Sequence, residues 1–190
     1  MEEIIFYWEW LSLPKAQFRL LAMIAVSGGT FEGNLTDMCN YLSVTPQSHN
    51  RVKIKTALEA LTSAGYIEWE QSGRTHHLEI IPKETEIKIP LELAKSIINH
   101  EYSSEEQVAW EQVLKLYIWI VHNDLDIVKN KMIAEALSTS ESTVCSAKNV
   151  LAKEYEAITK RKISDKLGEN YFITLGQELS ACAWWKDISR

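Results

Sequence analysis

One helical pattern of apolar positions occurs twice in the chain, with residues at i, i+3, i+7 and i+11. Each copy runs into a segment of strand character, a polar turn and a second strand. A repeat of this kind indicates two copies of one supersecondary unit, here a helix-turn-helix followed by a β-hairpin. The two sets, about 90 residues apart, are Ile54, Ala57, Leu61 and Gly65, and Val144, Ala147, Leu151 and Tyr155.

Within the first copy, the pattern predicts the order helix, helix, helix, strand, strand. Capping residues, glycines and polar turns set the expected boundaries. The predicted elements are an ambiguous aromatic stretch at 4–11, a helix capped by Ser12 and ended by Gly28 and Gly29, a helix starting at Asn34 or Thr36, a third helix at 51–64 stopped by Gly65, and a hairpin at 66–81 with its turn at 71–74.

The second copy follows a charged segment with two prolines, 82–90, which predicts a linker. Ser104 and Gln107 fit a capping box that opens a long helix through His122. Later elements are expected at 129–137, 141–157, 158–175 and 176–188. The fold class predicted is mainly α with small β-hairpins (α+β), in two tandem domains. They comprise residues 1–82 and 103–190, with a linker and connecting helix at 83–102.

The copies are unequal in length. From Leu42 to Leu61 is 19 residues, whereas the equivalent step from Leu137 to Leu151 is 14. The first copy therefore has about five extra residues in its turn or at the start of its third helix. The two copies are not expected to recognise two identical half-sites.

Composition narrows the class of protein. The chain has 190 residues, and its longest mainly apolar run, 113–121, is far shorter than the ~20 residues of a membrane span. With no secretory signal pattern, a cytoplasmic protein without membrane contact is expected. The three cysteines form no CxxC pair, so neither a disulfide framework nor a zinc site is predicted. No metal or other cofactor is expected.

Charge is distributed unevenly. The net charge of −6 opposes indiscriminate nucleic-acid binding, which depends on Lys and Arg neutralising phosphates. Residues 129–166 nevertheless hold eight basic and five acidic residues. The distribution of charge is therefore more informative than its sum.

The third helix of the first copy presents a candidate surface for reading duplex DNA. If its apolar positions face the core, small polar and methyl-bearing side chains face outward with cations at the edges. That combination suits base edges between phosphates, because an α-helix fits the major groove. An ordinary solvated helix face is the alternative. The candidate residues are Ser48, His49, Arg51, Val52, Lys53, Lys55 and Thr56.

In the second copy, the outward residues of the third helix would be Ser142, Ser146, Asn149 and Lys153. Asn149 could pair with adenine, but neighbouring glutamates weaken this helix as a reader of bases. The hairpin carries the densest basic cluster of the chain, as expected for a strand and turn lying along phosphates. An edge strand protected from aggregation by its charges is the alternative. The cluster comprises Lys160, Arg161, Lys162 and Lys166.

His76 and His77 are the only paired histidines. Neighbouring strand residues point to opposite faces, so joint metal binding is not expected. His76 lies near Arg74, and both are candidates for phosphate contact. No catalytic motif or phosphate-binding loop is present, so enzyme activity has no positive support.

Tryptophans cluster toward both ends of the chain, at Trp8, Trp10, Trp184 and Trp185. Packing against their own domain is one interpretation. A homodimer through these terminal aromatic segments is the other, because aromatic residues suit the centres of interfaces.

The segment 57–67, Ala-Leu-Glu-Ala-Leu-Thr-Ser-Ala-Gly-Tyr-Ile, resembles the end of the recognition helix and the wing entry of bacterial winged-helix DNA-binding domains of the MarR-like and phage or plasmid kinds. The resemblance covers roughly 12–82 and repeats faintly over 104–176. Two such units in one chain resemble plasmid replication initiators. They also resemble the small acidic subunit of bacterial condensin, which binds protein.

The resemblance leads to two competing hypotheses. The first is a sequence-specific double-stranded DNA-binding protein, acting as a transcriptional regulator or as a replication initiator of a mobile element. The second is a protein-protein adaptor of tandem winged helices that does not bind DNA directly. Fold alone does not decide between them.

Overall fold

The computed structural model describes residues 2–100, 108–123, 127–165 and 168–175, with the backbone alone at 127–128 and 159–175. The chain has an α+β fold with small antiparallel sheets. It divides into two units, Met1–Lys95 and Ser96–Arg190. Within the described ranges, no helix is long and apolar enough to cross a membrane.

The first unit contains a two-stranded sheet and a three-stranded sheet around three helices. In the larger sheet the order is β2-β4-β3, and β1 pairs with β5 in the smaller one. The elements are β1 (Glu3–Tyr7), a 3-10 helix (Trp8–Ser12), α1 (Lys15–Val26), β2 (Thr30–Gly33), α2 (Leu35–Tyr41), α3 (Ser48–Ser63), β3 (Ile67–Ser72), β4 (Thr75–Ile80) and β5 (Glu86–Pro90), followed by α4 (Leu91–Asn99), which continues past the unit boundary.

The second unit repeats the order helix, strand, helix, helix, strand, strand. Its sheet order, β6-β8-β7, again places the last strand between the other two. The elements are α5 (Trp110–Asn123), β6 (Ile127–Val128), α6 (Asn130–Ala136), α7 (Glu141–Lys153), β7 (Ile158–Asp165) and β8 (Gly168–Leu175). The repeat seen in the sequence is therefore a repeat of element order and of strand order.

Helix α1 is the centre of the first core. Every residue from Leu20 to Val26 is buried, because α3 and the larger sheet contact the helix as well as β1 and the 3-10 helix. The predicted apolar positions Ile54, Ala57 and Leu61 of α3 are buried, and Leu58 is buried beside them.

Left-handed backbone conformations mark equivalent turns in the two units. Ser43 (φ 54°) and Ser138 (φ 50°) each lie two residues after the last residue of the second helix of their unit. Gly65 (φ 69°) ends α3 as the sequence predicts: its N–H donates to the Thr62 carbonyl, and the next N–H reaches Leu61. After α7, Glu156 (φ 48°) adopts this conformation, one residue after the position that aligns with Gly65.

Several predicted boundaries differ from the structure. Ser12 does not cap α1; it ends the 3-10 helix, and Pro14 is the N-cap. Helix α3 begins at Ser48 rather than Arg51, because the turn before it is shorter than its polar sequence suggests. The predicted linker contains β5, which pairs with β1. The capping box of Ser104 and Gln107, the helix at 176–188, and Trp184 and Trp185 lie outside the described residues.

Candidate nucleic-acid interface

The outward face of α3 is a continuous exposed surface of small, polar and basic side chains. Its apolar residues face the core, so the remaining positions of the helix are left to solvent. Val52 is 64% exposed, although it is a large apolar residue. The seven predicted residues of this face are all exposed: Ser48, His49, Arg51, Val52, Lys53, Lys55 and Thr56.

This face carries positive charge without compensating carboxylates on its own segment. Between Asp37 and Glu59 the chain has no acidic residue, although its net charge is −6. Arg51 is tied to α2, because its Nη2 donates to Thr36 Oγ1 at 3.0 Å. One edge of the helix face therefore joins the first turn of α2.

An open cleft of about 540 Å³ lies where α2, α3 and the hairpin of β3 and β4 meet. Arg51 lines it from α3, and Arg74 lines it from the two-residue hairpin turn. Gly73, also in that turn, has a φ of +61°, a conformation that residues with a Cβ rarely adopt. Among the described residues that line the cleft, none carries a carboxylate.

His76 also lines this cleft, from β4. It is only 3% exposed, and its Nδ1 accepts a hydrogen bond from the Trp69 indole Nε1 at 3.0 Å. The two rings stack with their centroids 5.7 Å apart. Burial lowers the pKa of His76, and the positive charge of Lys55 lowers it further. The imidazole is therefore held neutral, with its proton on Nε2.

The outer face of the larger sheet is acidic. Glu32, His77 and Glu70 form one cross-strand row, and Glu79 and Glu68 are directly opposite each other in the next. All five side chains are exposed, and His77 Nδ1 is 3.6 Å from Glu32 Oε2. His76 and His77 therefore face opposite sides of the sheet, as predicted.

Helix α7 presents a less basic surface than α3. Ser142, Asn149 and Lys153 are exposed and Ser146 is half-buried. Lys148 is buried instead, and its Nζ donates to Asn130 Oδ1 at 2.6 Å. Its charge is thus directed into the unit and does not add to the helix surface.

The basic hairpin predicted for the second unit is placed only in part. Lys160, Arg161 and Lys162 lie on β7, where the backbone alone is described. Lys166 lies outside the described residues. The interface is therefore built from side chains of the first unit.

The aromatic residues at the start of the chain pack inward. Trp10 is fully buried, with edge-to-face contacts to Phe6 and Tyr7 at centroid distances of 5.5 and 5.1 Å. Trp8 is half-buried. The dimer interpretation therefore cannot use Trp10, whose ring is enclosed within its own unit.

Sequence reasoning did not single out Thr36 and Gln71, which line the cleft, or Trp69, which supports His76. The register of the hairpin could have predicted that Gln71 and Trp69 lie next to His76. With Gly73 and Arg74 as the turn, Gln71 is opposite His76 and Trp69 is its diagonal neighbour.

A scan of the sequence against models of known protein families finds no match, and a search among curated proteins finds none either. In the described part of the chain, no cluster of three or more His, Cys, Asp or Glu residues is arranged to hold a metal ion.

Proposed function

We propose that the protein binds double-stranded DNA in a sequence-specific manner, through two tandem winged helix-turn-helix units. In this proposal α3 reads base edges in the major groove, and the turn of β3 and β4 contacts the adjoining backbone. The observation that carries the proposal is the exposed, acid-free face of α3 beside a cleft lined by Arg51 and Arg74.

The shape of the face supports this assignment. A helix about 10 Å across fits the major groove, where base edges are distinguishable. Arg51, Lys53 and Lys55 supply charge for phosphates, while Val52 offers an apolar contact for a thymine methyl group.

The repeated element order supports two related units, but their surfaces support unequal roles. In the second unit Lys148 is buried, and Glu141 lies at the start of α7. We therefore assign the reading of bases to α3 and a supporting contact to the second unit. Transcriptional regulation and replication initiation are both compatible with such an arrangement.

The experiment is selection of bound duplexes from a random pool, followed by affinity measurements on the winners across a salt series. Arg51→Ala with Lys53→Ala should weaken binding at least tenfold and make the salt dependence shallower. Lys15→Ala with Lys88→Ala is the matched control, because both lysines are exposed and lie outside α3. Equal affinity of the two double variants would overturn the proposal.

A protein-protein adaptor is the alternative, and the acidic outer face of the sheet favours it. Glu32, Glu68, Glu70 and Glu79 would repel a phosphate backbone and suit a basic protein partner. The same selection separates the two functions. A folded protein that enriches no duplex at moderate salt would favour the adaptor, and an enriched site would favour DNA binding.

A further inference from the structure

The cleft between α2, α3 and the hairpin is lined by a ring N–H donor, the Nε2–H of His76. His76 Nδ1 is occupied by the Trp69 indole, so the neutral ring carries its proton on Nε2. No hydrogen bond within the described part of the chain uses that Nε2–H, and His76 lines the cleft. This N–H is therefore open to the cleft and can donate to a group bound there.

The neighbours of this donor select an anion. Arg51 and Arg74 line the same cleft, and each guanidinium has five N–H donors, of which Arg51 has committed one to Thr36. Asp37 is occupied in the capping box, where its Oδ2 accepts from the Asn34 N–H at 2.7 Å. Two cations and a neutral donor that line one open cleft suit a group with several acceptor oxygens.

We propose that this cleft binds one phosphate group, held by the guanidinium groups of Arg51 and Arg74 and by the Nε2–H of His76. The inference rests on the proposed function in taking a backbone phosphate of duplex DNA as the physiological source. It adds a binding site for one particular phosphate, which would fix the register of α3 along the groove. His76 acts in it as a neutral donor, whose tautomer is set by Trp69.

The neutral state distinguishes this site from a simple pair of surface arginines. A second proton on His76 would have to enter at Nδ1, where it would meet the indole N–H donor of Trp69. Phosphate binding through Nε2 therefore needs no protonation of the ring. The contact between His76 and phosphate should therefore persist at neutral pH. A histidine that needed a positive charge to bind phosphate would be mostly uncharged there.

A matched pair of variants tests the donor. Asn can place an acceptor near the position of Nδ1 and keep the Trp69 bond, while it removes the Nε2–H. Gln can place a donor near the position of Nε2 instead. His76→Asn should therefore lose phosphate affinity about tenfold, and His76→Gln should lose less. An unchanged NMR signal of the Trp69 indole N–H verifies that His76→Asn leaves the hairpin folded.

The first measurement uses inorganic phosphate alone, at constant ionic strength, with the ring nitrogens of His76 followed by NMR. Phosphate should shift the Nε2 signal of the wild-type protein, and Arg74→Ala should abolish the shift. The second measurement uses the selected duplex with a methylphosphonate at one position at a time. Neutralising one particular phosphate should weaken duplex binding by the wild-type protein, but it should have a much smaller effect on binding by Arg74→Ala or His76→Asn.

The outcomes separate this inference from the proposed function. The protein could bind the duplex while no single phosphate position depends on Arg74 or His76, and while phosphate leaves the NMR signal of His76 unchanged. That result would overturn the phosphate-binding site and leave DNA binding supported. A phosphate shift that depends on Arg74 and His76, in a protein that enriches no duplex, would support the anion site and overturn DNA binding. A shift together with one coupled position would support both.

Discussion

Lys148 of α7 and Leu58 of α3 occupy equivalent positions in the two units, each three residues before the aligned leucine, and both are buried. The first unit fills this position with an apolar side chain. The second fills it with an ammonium that donates to Asn130 Oδ1 at 2.6 Å, at the start of α6. The same helix pair is therefore held by packing in one unit and by a polar bond in the other.

This difference predicts coupling between the two residues. Asn130→Ala should lower the free energy of unfolding by about 1–3 kcal/mol, because the buried ammonium loses an acceptor. Adding Lys148→Met should recover much of that loss, since the charge is removed and an apolar chain fills the site. Urea unfolding of the four variants of the cycle gives the coupling energy. Equal effects of Asn130→Ala in both backgrounds would contradict the prediction.

His76 should make the stability of the protein decrease on the acid side. Its pKa in the folded state is lowered by burial and by Lys55, whereas in the unfolded chain it is about 6.5. As the pH falls below about 6.5, the unfolded state therefore takes up a proton that the folded state resists, and the free energy of unfolding decreases.

Urea midpoints at pH 7.5 and 5.5 measure this effect. His76→Asn should reduce the difference between the two midpoints. His77→Asn is the control, because it makes the same substitution at the neighbouring position, on the exposed outer face of the sheet. If His77→Asn reduced the difference between the two midpoints more than His76→Asn does, His76 would not be the source of the pH dependence.

Two neighbouring residues of α3 should affect DNA binding in different ways. Val52→Ser should alter the preferred base at one position, by about 1 kcal/mol, without altering the salt dependence. Arg51→Ala should weaken binding to all duplexes and reduce the slope of log affinity against log salt by about 0.9. Both residues are exposed, so neither change should alter stability by more than ~0.5 kcal/mol. Selection and salt titration of each variant distinguish the two effects.

The sequence predicts the long elements of the fold better than its short ones. The burial of Ile54, Ala57, Leu58 and Leu61 follows from a helical period sustained over several turns. Strand β2 has four residues and β6 has two, too few to show an alternation. Both depend on pairing with a distant strand, which a local pattern does not contain.

The candidate interface is predictable to a similar degree. Exposure of the α3 face follows from the same period that buries its opposite side. The cleft does not, because it joins Thr36, Arg51 and Arg74 from three elements. The burial of Lys148 also could not be inferred, since lysines are almost never fully buried unless paired, and its partner Asn130 is 18 residues away.

Glu68 and Glu79 should destabilise the larger sheet, because like charges are directly opposite on antiparallel strands. Glu68→Gln should raise the free energy of unfolding by up to about 0.5 kcal/mol, with a larger gain at low salt. Glu84→Gln removes the same charge from an exposed position outside the strands and is the control. Equal gains in urea unfolding would attribute the effect to net charge instead of to the cross-strand pair.

Lys115 should make the protein more stable as the pH rises from about 8. Burial lowers its pKa to about 8, and the nearby charge of Glu111 opposes that shift only partly. Well below this pH the lysine is protonated in both the folded and the unfolded state, so it does not make the free energy of unfolding depend on pH. Above it the folded state releases the proton while the unfolded chain retains it up to about 10.4, so the free energy of unfolding increases.

The expected gain between pH 8 and 9.5 is about 1.5 kcal/mol, and Lys115→Met should remove it. The series should stop at pH 9.5, because burial also raises the pKa of Tyr117, which lowers stability once unfolded tyrosine ionises near pH 10. Lys131→Met is the control, since Lys131 is exposed on α6. Parallel profiles for the wild-type protein and Lys115→Met would show that Lys115 keeps its proton throughout this range, and that its burial costs less than the lowered pKa requires.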